Sequence, residues 1–463
     1  MKHVRVGLLS FLVCVLGAAI VWGIVTGAQK KDRQKPNIII IMADALRPDH
    51  LGCYGYGRNT SPAIDAFAKT ATRYASCFAS GTWTMTSNYS ILTSLYPDRH
   101  GVYEWEHVLS ASVPTLFSEL QARGYTIGVF GNHPLWLANL KQSSGKHITE
   151  YRFVKYSDEL TRAAIQWLKR IQSPFCLYVY FGDTHRPYEP PPPYDTLFAY
   201  GKNAHLPIQK VGADYEGGWD YIPNIIVRGG IDNPSYYIAQ YDGEIRNMDT
   251  YVGNVMQALR EKRIFDSSLM LFTADHGESL GEHHLYFNHI YTLFNEIIKV
   301  PLIIKYPFQS KPAVVETAVS LVDITPTVLR TTGAILRSGF EGIPLSEAES
   351  SGRALFSYGT KGAQSVIKDQ WKLIMYRQEC FKELPFVPLF FAEYPRETVQ
   401  LFDRFADPQE KMNVAHANQD VVFELLSIMN LHRGRADTTS SGVSVFPLDD
   451  DLKEKVKSLG YAQ

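Results

Sequence analysis

Five side chains able to bind a cation or move a proton follow closely on apolar runs. Asp44 comes just after Ile38–Met42. Asp183 and His185 come after FCLYVYF (175–181), and Asp275 and His276 come after LMLFTA (269–274). Mixed oxygen and nitrogen donors of this kind suit a hard or borderline divalent cation. Each also has an ordinary structural use, since an aspartate behind a strand caps the next helix and an Asp-His pair closes a turn. Metal chemistry requires that one sheet edge collect Asp44, Asp275 and His276. The question passes to the elements that carry them.

The run Ile38–Met42 is continuous and mostly β-branched, as in a strand buried on both faces of a parallel sheet. Similar runs occupy 127–131, 175–181, 269–274 and 300–305. Between them lie helical patterns: SPAIDAFAKTATRY (61–74), VPTLFSELQARG (113–124), ELTRAAIQWLKRI (159–171) and AQYDGEIRNMDTYVGNVMQALREK (239–262). This alternation predicts an α/β fold, a doubly wound and mostly parallel sheet with helices on both faces. In such sheets ligands bind beyond the carboxyl ends of the strands, where the five residues fall. Residues 200–235 lack periodicity and read as an insertion near the site. Past about residue 310 the pattern shifts to short strands, QWKLIMY (370–376) and VQLFDR (399–404), and a helix, DVVFELLSIMN (420–430). The expected organisation is a catalytic α/β domain over 36–330 and a smaller C-terminal α+β subdomain with a tail over 331–463.

A net charge of −1 over 463 residues gives no basic footprint for a nucleic acid. The five cysteines, at 14, 53, 77, 176 and 380, are scattered and show no metal-type spacing. The N-terminus is more telling. Residues 7–28 carry no charge and lie between Lys2 and Arg5 on one side and Lys30, Lys31 and Arg33 on the other. About 20 apolar residues span a bilayer, whereas a signal-peptide core is about 7–15. Segment 1–29 is therefore expected to be a membrane anchor, with a cleaved signal as the alternative. Either places the remainder outside the cytoplasm.

Several ordered motifs carry a family likeness. ADALRPDHLGCYGYGRNTSPAIDAFA, LTSLYPDRHGV, FGDTHRPYEPP, TADHGESLGEHHLYFNH, SLVDITPTVL, the block from DQWKL to VQLFDRFADPQEKMN, and the terminal VKSLGY together resemble the sulfatase branch of the alkaline phosphatase superfamily. The resemblance runs over most of residues 36–463. It implies an alkaline phosphatase-like fold and an ester hydrolase with one divalent metal (Ca2+, Mn2+ or Zn2+), a second being the alternative.

The resemblance also sets the register of TWTMTSNYS (82–90). Sulfatases carry Cys or Ser, x, Pro, Ser, Arg there and convert the first residue to formylglycine. Aligned on Leu92-Thr93, the nucleophile position holds Thr84, with Thr86 for Pro, Ser87 for Ser and Asn88 for Arg. Threonine is not converted, so no formylglycine is expected, and Cys77 lies seven residues too early. Phosphodiesterases and phosphatases of the superfamily use an unmodified Thr or Ser on a metal, which implies a ligand set of Asp44, Thr84, Asp275 and His276. His185 and His289 fall where sulfatases place the histidine and lysine that bind the ester oxygens and protonate the leaving group. Asn132-His133 replaces a Lys-x-His pair, and Ala45 replaces a further metal-binding Asp. Asn88 and Asn132 are the expected contacts to an anion, with Asp183 as a substrate contact or a second-metal ligand. His50, His100, His283 and His284 read as structural or rim residues. The expected substrate is an anionic phosphate or sulfate ester, with a lipid or glycan headgroup as candidate carrier and phosphate favoured because it suits a threonine alkoxide. Headgroup transfer to an alcohol, or an inactive anion-binding relative, would use the same residues.

Overall fold

The computed structural model describes residues 35–172, 174–202, 205–209, 220–359, 362–376, 399–436 and 444–445. The expected N-terminal anchor and most of the C-terminal tail lie outside them. Among the described residues no helix is long and apolar enough to cross a membrane.

The β-branched run forms β1 (Ile38–Ala43), every residue of which is at most 1% exposed. Burying each such isoleucine contributes about 1.5–3 kcal/mol, so this strand anchors the centre of the sheet. The other sheet strands, in chain order, are β2 (Thr72–Phe78), β3 (Thr126–Gly131), β4 (Glu150–Phe153), β5 (Phe175–Phe181), β6 (Leu269–Ala274), β7 (Lys299–Lys305), β8 (Ala313–Val315) and β9 (Val319–Ser320). Their order is β8-β2-β7-β6-β1-β5-β3-β4, with β9 beside β2. Only β7 runs antiparallel to its neighbours, and the remaining pairs are parallel. This is the mostly parallel sheet that the alternation of runs implied. A second, antiparallel sheet of four strands follows: β10 (Leu355–Tyr358), β11 (Gln364–Lys368), β12 (Trp371–Met375) and β13 (Val399–Asp403).

The helical expectation over 61–74 needs correction. Helix α1 (Pro62–Ala68) ends there, and the chain re-enters the sheet as β2. The Thr70 amide and hydroxyl both donate to the Phe67 carbonyl and close a turn. Beyond it, Thr72, Tyr74, Cys77 and Phe78 are buried while Arg73, Ala75 and Ser76 are partly exposed. That near-alternation belongs to a strand with one face packed.

Three further helices position the site. α2 (Thr84–Thr93) is buried along its whole length, α3 (Pro134–Ser144) starts behind β3, and α4 (Pro234–Glu261) carries Tyr241, whose phenol donates to the Ala45 carbonyl behind β1. The unperiodic stretch expected to run to 235 therefore gives way to helix at Pro234.

Register brings the predicted residues together. Ala43 pairs with Phe181 on one side and Ala274 on the other, so the next residues of all three strands emerge at one edge. The ladder runs one step further, with the Asp44 amide donating to Phe181 O (2.8 Å) and the Asp275 amide to Ala43 O (3.3 Å). Gly131 pairs with Tyr180, which carries Asn132 to the same edge.

Candidate active site

Asp44, Asp275 and His276 are fully buried, and one donor atom from each lies within 4.8 Å of the others. His276 Nε2 is 3.5 Å from Asp44 Oδ1 and 3.7 Å from Asp275 Oδ1. The imidazole tautomer follows from its other nitrogen. Nδ1 lies 2.9 Å from the Gly277 carbonyl, so it donates there and Nε2 of the neutral ring presents a lone pair to the carboxylates. Gly277 is required locally, because a Cβ there would lie 2.1 Å from the Glu296 carbonyl oxygen.

Asp275 is held by its neighbours. Its Oδ1 accepts from the His276 amide (2.8 Å) and the Ala45 amide (3.3 Å), and its Oδ2 accepts from the Tyr180 phenol (2.7 Å) and the Asn88 amide (3.0 Å). Ala45 adopts a left-handed φ of 51°, which turns the chain sharply behind Asp44. Neither Asp44 oxygen has a hydrogen-bond partner, and His276 Nε2 and Thr84 Oγ1 share that condition. Burial first, then the Asp275 carboxylate, push the Asp44 pKa well above the ordinary aspartate range. Buried acceptors without donors are costly. A divalent cation would satisfy the Asp44 oxygens and His276 Nε2, so the Asp44–Asp275–His276 donor set fits one.

The hydroxyls of TWTMTS divide clearly. Thr82 donates to Ile290 O, Thr86 to Trp83 O and Ser87 to Gly81 O, whereas Thr84 Oγ1 has no partner. Thr84 is the first residue of α2, behind an extended Trp83, with no acidic side chain in that turn. Its helix N-terminus therefore keeps its partial positive charge for an anion. Asn88 lies one turn on. Its amide nitrogen donates to Thr84 O and Asp275 Oδ2, and its oxygen accepts from the Tyr178 phenol. The structure thus places Asn88 between nucleophile candidate and ligand candidate, with its hydrogen bonds made inside the protein.

Three further imidazoles flank the cluster. His289 lies 4.3 Å from His276 between ring centroids, His185 lies 5.3 Å from His289, and His133 lies 6.0 Å from His185. His185 Nδ1 donates to Arg186 O (2.6 Å), which makes Nε2 the basic atom of its neutral ring. His289 Nδ1 faces Glu278 Oε1 at 3.3 Å. Burial pushes the pKa of both histidines well down, with neighbouring imidazoles adding to it.

Asn132 and Asp183 form a neighbouring network. Asp183 Oδ2 accepts from Ser157 Oγ (2.5 Å) and Asn132 Nδ2 (3.3 Å), and Asn132 Oδ1 accepts from the Gly182 amide (2.6 Å). Asp183 belongs to no three-ligand cluster among the described residues.

Two contributors, Tyr180 and Glu278, escaped the sequence reading, and a third, His133, entered it only as part of the Asn132-His133 pair. Tyr180 inside β5 reaches Asp275. Glu278 reaches His289 and accepts from Tyr188 (3.1 Å), and burial raises its pKa to about 7. His133 accepts from the Trp136 amide through Nδ1 (3.1 Å), which keeps its proton on Nε2, 3.7 Å from Asp44 Oδ2. Beforehand, only the proximity of Glu278 to the Asp-His pair and the place of His133 beside Asn132 were visible. The four histidines read from the sequence as structural or rim residues have partners: His50 binds Asp242 (2.7 Å), His283 binds Glu296 (2.8 Å), His284 binds Asp220 (2.7 Å) and His100 binds Ser90 (3.1 Å).

Comparison with known proteins agrees with this fold. A family profile described as Sulfatase matches residues 36–334. The chain belongs to the sulfatase family and is an ester hydrolase by that membership. It is 22% identical to an N-acetylglucosamine-6-O-sulfatase of Bacteroides thetaiotaomicron, over 83% of this chain and 84% of that protein. It is 25% identical to a choline-sulfatase of Rhizobium meliloti, over 82% of each. In fold it resembles a protein solved with its substrate D-glucosamine-2-N,6-O-disulfate, with a TM-score of 0.69 and 19% identity over 88% of this chain and 99% of that one. It also resembles a phosphonate monoester hydrolase of Agrobacterium radiobacter, with a TM-score of 0.64 and 20% identity over 86% and 96%.

Proposed function

We propose that this sulfatase-family protein is a metal-dependent hydrolase of phosphate or sulfate esters, phosphate preferred, with unmodified Thr84 as nucleophile. The observation that carries the reading is the coincidence of four buried, unpartnered atoms: both Asp44 oxygens, His276 Nε2 and Thr84 Oγ1. Asp44, Asp275 and His276, with Thr84, would hold one divalent ion, which supplies positive charge for the ester oxygens and makes a hydroxyl more acidic. Cys77 lies inside β2 in the apolar core, away from the start of α2, so it offers no substitute nucleophile.

In the proposed reaction Thr84 Oγ forms a bond to the phosphorus or sulfur while the bond to the alcohol oxygen breaks. His185 Nε2 takes the threonine proton and passes it to the departing oxygen; water then attacks the same phosphorus or sulfur, the bond to Thr84 Oγ breaks, and His185 moves a water proton to that oxygen. His289, oriented by Glu278, faces the same cluster and can share this role. Asn88 positions Asp275 and the first turn of α2 together. The names of the similar proteins favour a second reading, sulfate-ester hydrolysis by the same residues. We further propose that the uncharged segment 7–28 holds the enzyme at a membrane with its catalytic part outside the cytoplasm.

Purified protein assayed for metal content and for paired aryl phosphate, phosphodiester and sulfate esters tests the reading. Bound divalent ion, phosphoester turnover lost at least 1,000-fold in Thr84→Ala and partly kept in Thr84→Ser would support it. Turnover indifferent to Thr84 would end it.

A further inference from the structure

Beside the cluster opens a cavity of about 560 Å3, and His133 and His185 form part of its wall. Its far side carries Asp183 behind β5 and, from one face of α4, Glu244, Asn247 and Tyr251. Glu244 is 6% exposed and Asn247 4% exposed. The spacing of 244, 247 and 251 is that of side chains stacked along a helix.

Lys155 and Arg186 also line the cavity, yet neither pairs with a carboxylate of this wall. Asp183 is held only by neutral donors: Ser157, Asn132 and Asn247. One Glu244 oxygen accepts from the Glu189 amide at 2.9 Å. Among the described residues no lysine, arginine or histidine nitrogen pairs with either carboxylate within 4.0 Å. Asn247 Oδ1 is buried and has no hydrogen-bond partner although the residue lines the cavity. Buried carboxylates ordinarily have a counter-charge, and buried amide oxygens ordinarily have a donor. Both deficits are met by a ligand group that carries positive charge and several N–H donors.

We infer that this cavity receives the alcohol part of the ester and that the alcohol bears a protonated amine, seated against Glu244, Asp183 and Asn247. The substrate is then zwitterionic, with its anionic ester at the Asp44–Asp275–His276 cluster and its ammonium on the α4 face. Burial and the nearby Asp183 charge raise the Glu244 pKa well above the usual glutamate range, the behaviour of a carboxylate lacking its cation. This inference rests on the hydrolase reading above, which supplies the orientation of the ester.

The test uses matched esters that differ only in amine against hydroxyl: 2-aminoethyl against 2-hydroxyethyl, and 4-(aminomethyl)phenyl against 4-(hydroxymethyl)phenyl, each as phosphate and as sulfate. A 4-nitrophenyl ester serves as the general substrate. Specificity is read as the quotient of kcat/KM for each amine ester over its hydroxyl partner. Wild type is expected to favour the amine at least tenfold, and Glu244→Gln to abolish most of that preference. Equal use of both partners by wild type, with 4-nitrophenyl ester still turned over in a Thr84-dependent way, overturns this inference and leaves the hydrolase reading standing. No turnover of any ester overturns both. Metal analysis guards against a different occupant, because a second equivalent of divalent ion lost in Glu244→Gln would assign the pocket to a metal and sink the amine. If Glu244→Gln does not fold, the wild-type preference decides alone.

Discussion

Replacing Asp44 with asparagine should change stability in opposite directions according to whether a divalent ion is present. Without an ion, the Asp44 and Asp275 carboxylates lie within 4.8 Å of each other and Asp44 has no donor on either oxygen. At that separation two carboxylates repel by about 3.5 kcal/mol for an effective dielectric constant of about 20. The folded protein relieves this by keeping a proton on Asp44, whose pKa is pushed well up by burial and then by Asp275. An unfolded aspartate releases its proton near pH 4. Above that pH the folded state binds more protons than the unfolded one, so metal-free stability falls with rising pH until the folded carboxyl has ionised. Asparagine carries no such proton and removes the slope. In chelator at pH 7.5, Asp44→Asn should therefore be more stable than wild type by up to about 3.5 kcal/mol, the cost of the repulsion whether it is borne or avoided by taking up a proton. With divalent ion at a hundredfold over its Kd, wild type should instead gain about 2.7 kcal/mol and the variant little. Denaturant unfolding of both proteins at pH 5.0 and 7.5, with chelator and with each candidate ion, reads all four states. Comparing the two proteins cancels the groups they share. If chelated wild type shows no loss between pH 5.0 and 7.5 beyond that of the variant, and Asp44→Asn destabilises in every condition, the protein itself satisfies this carboxylate and the cation argument is wrong.

Other perturbations probe separate parts of the site. Tyr180→Phe removes the phenol that donates to Asp275 at 2.7 Å inside the core, and should cost about 1–3 kcal/mol in denaturant unfolding. His133→Asn keeps an acceptor for the first turn of α3 while withdrawing the Nε2 proton near Asp44. Its stability should stay within about 0.5 kcal/mol of wild type, because asparagine is a good helix cap, and its kcat/KM should fall by about 10–100-fold in steady-state assays. Lys372 and Glu410, both fully buried and 2.7 Å apart, test a pair remote from catalysis. Lys372→Met should lose about 3–5 kcal/mol by stranding Glu410, and the double variant with Glu410→Leu should recover most of it in the same unfolding assay.

Much of the scaffold was legible because one physical signal dominates it. Strands β1, β3, β5, β6 and β7 are buried on both faces, so each appears as an unbroken apolar run that needs no partner to be recognised. β2 did not, since a strand packed on one face mixes Arg73, Ala75 and Ser76 with Tyr74, Cys77 and Phe78, and its first residues continue the helix-like spacing of α1. β4, with two of its four residues exposed at the sheet edge, lacks the signal for the same reason.

By itself, then, the sequence determined which residues could emerge at the working edge. Polar residues that follow buried parallel strands have nowhere else to go, so Asp44, Asp275, His276, Asp183 and His185 were all visible. Tertiary structure alone decided how those groups are used. The tautomer of His276 depends on the carbonyl of Gly277, and the choice of Thr84 among its neighbouring hydroxyls depends on which of them find backbone acceptors. The roles of Asn88, Tyr180, Glu278 and His133 come from contacts between segments 11 to 187 positions apart. Hydrogen bonds and burial are set by those long-range contacts, and no local pattern of residue types encodes them.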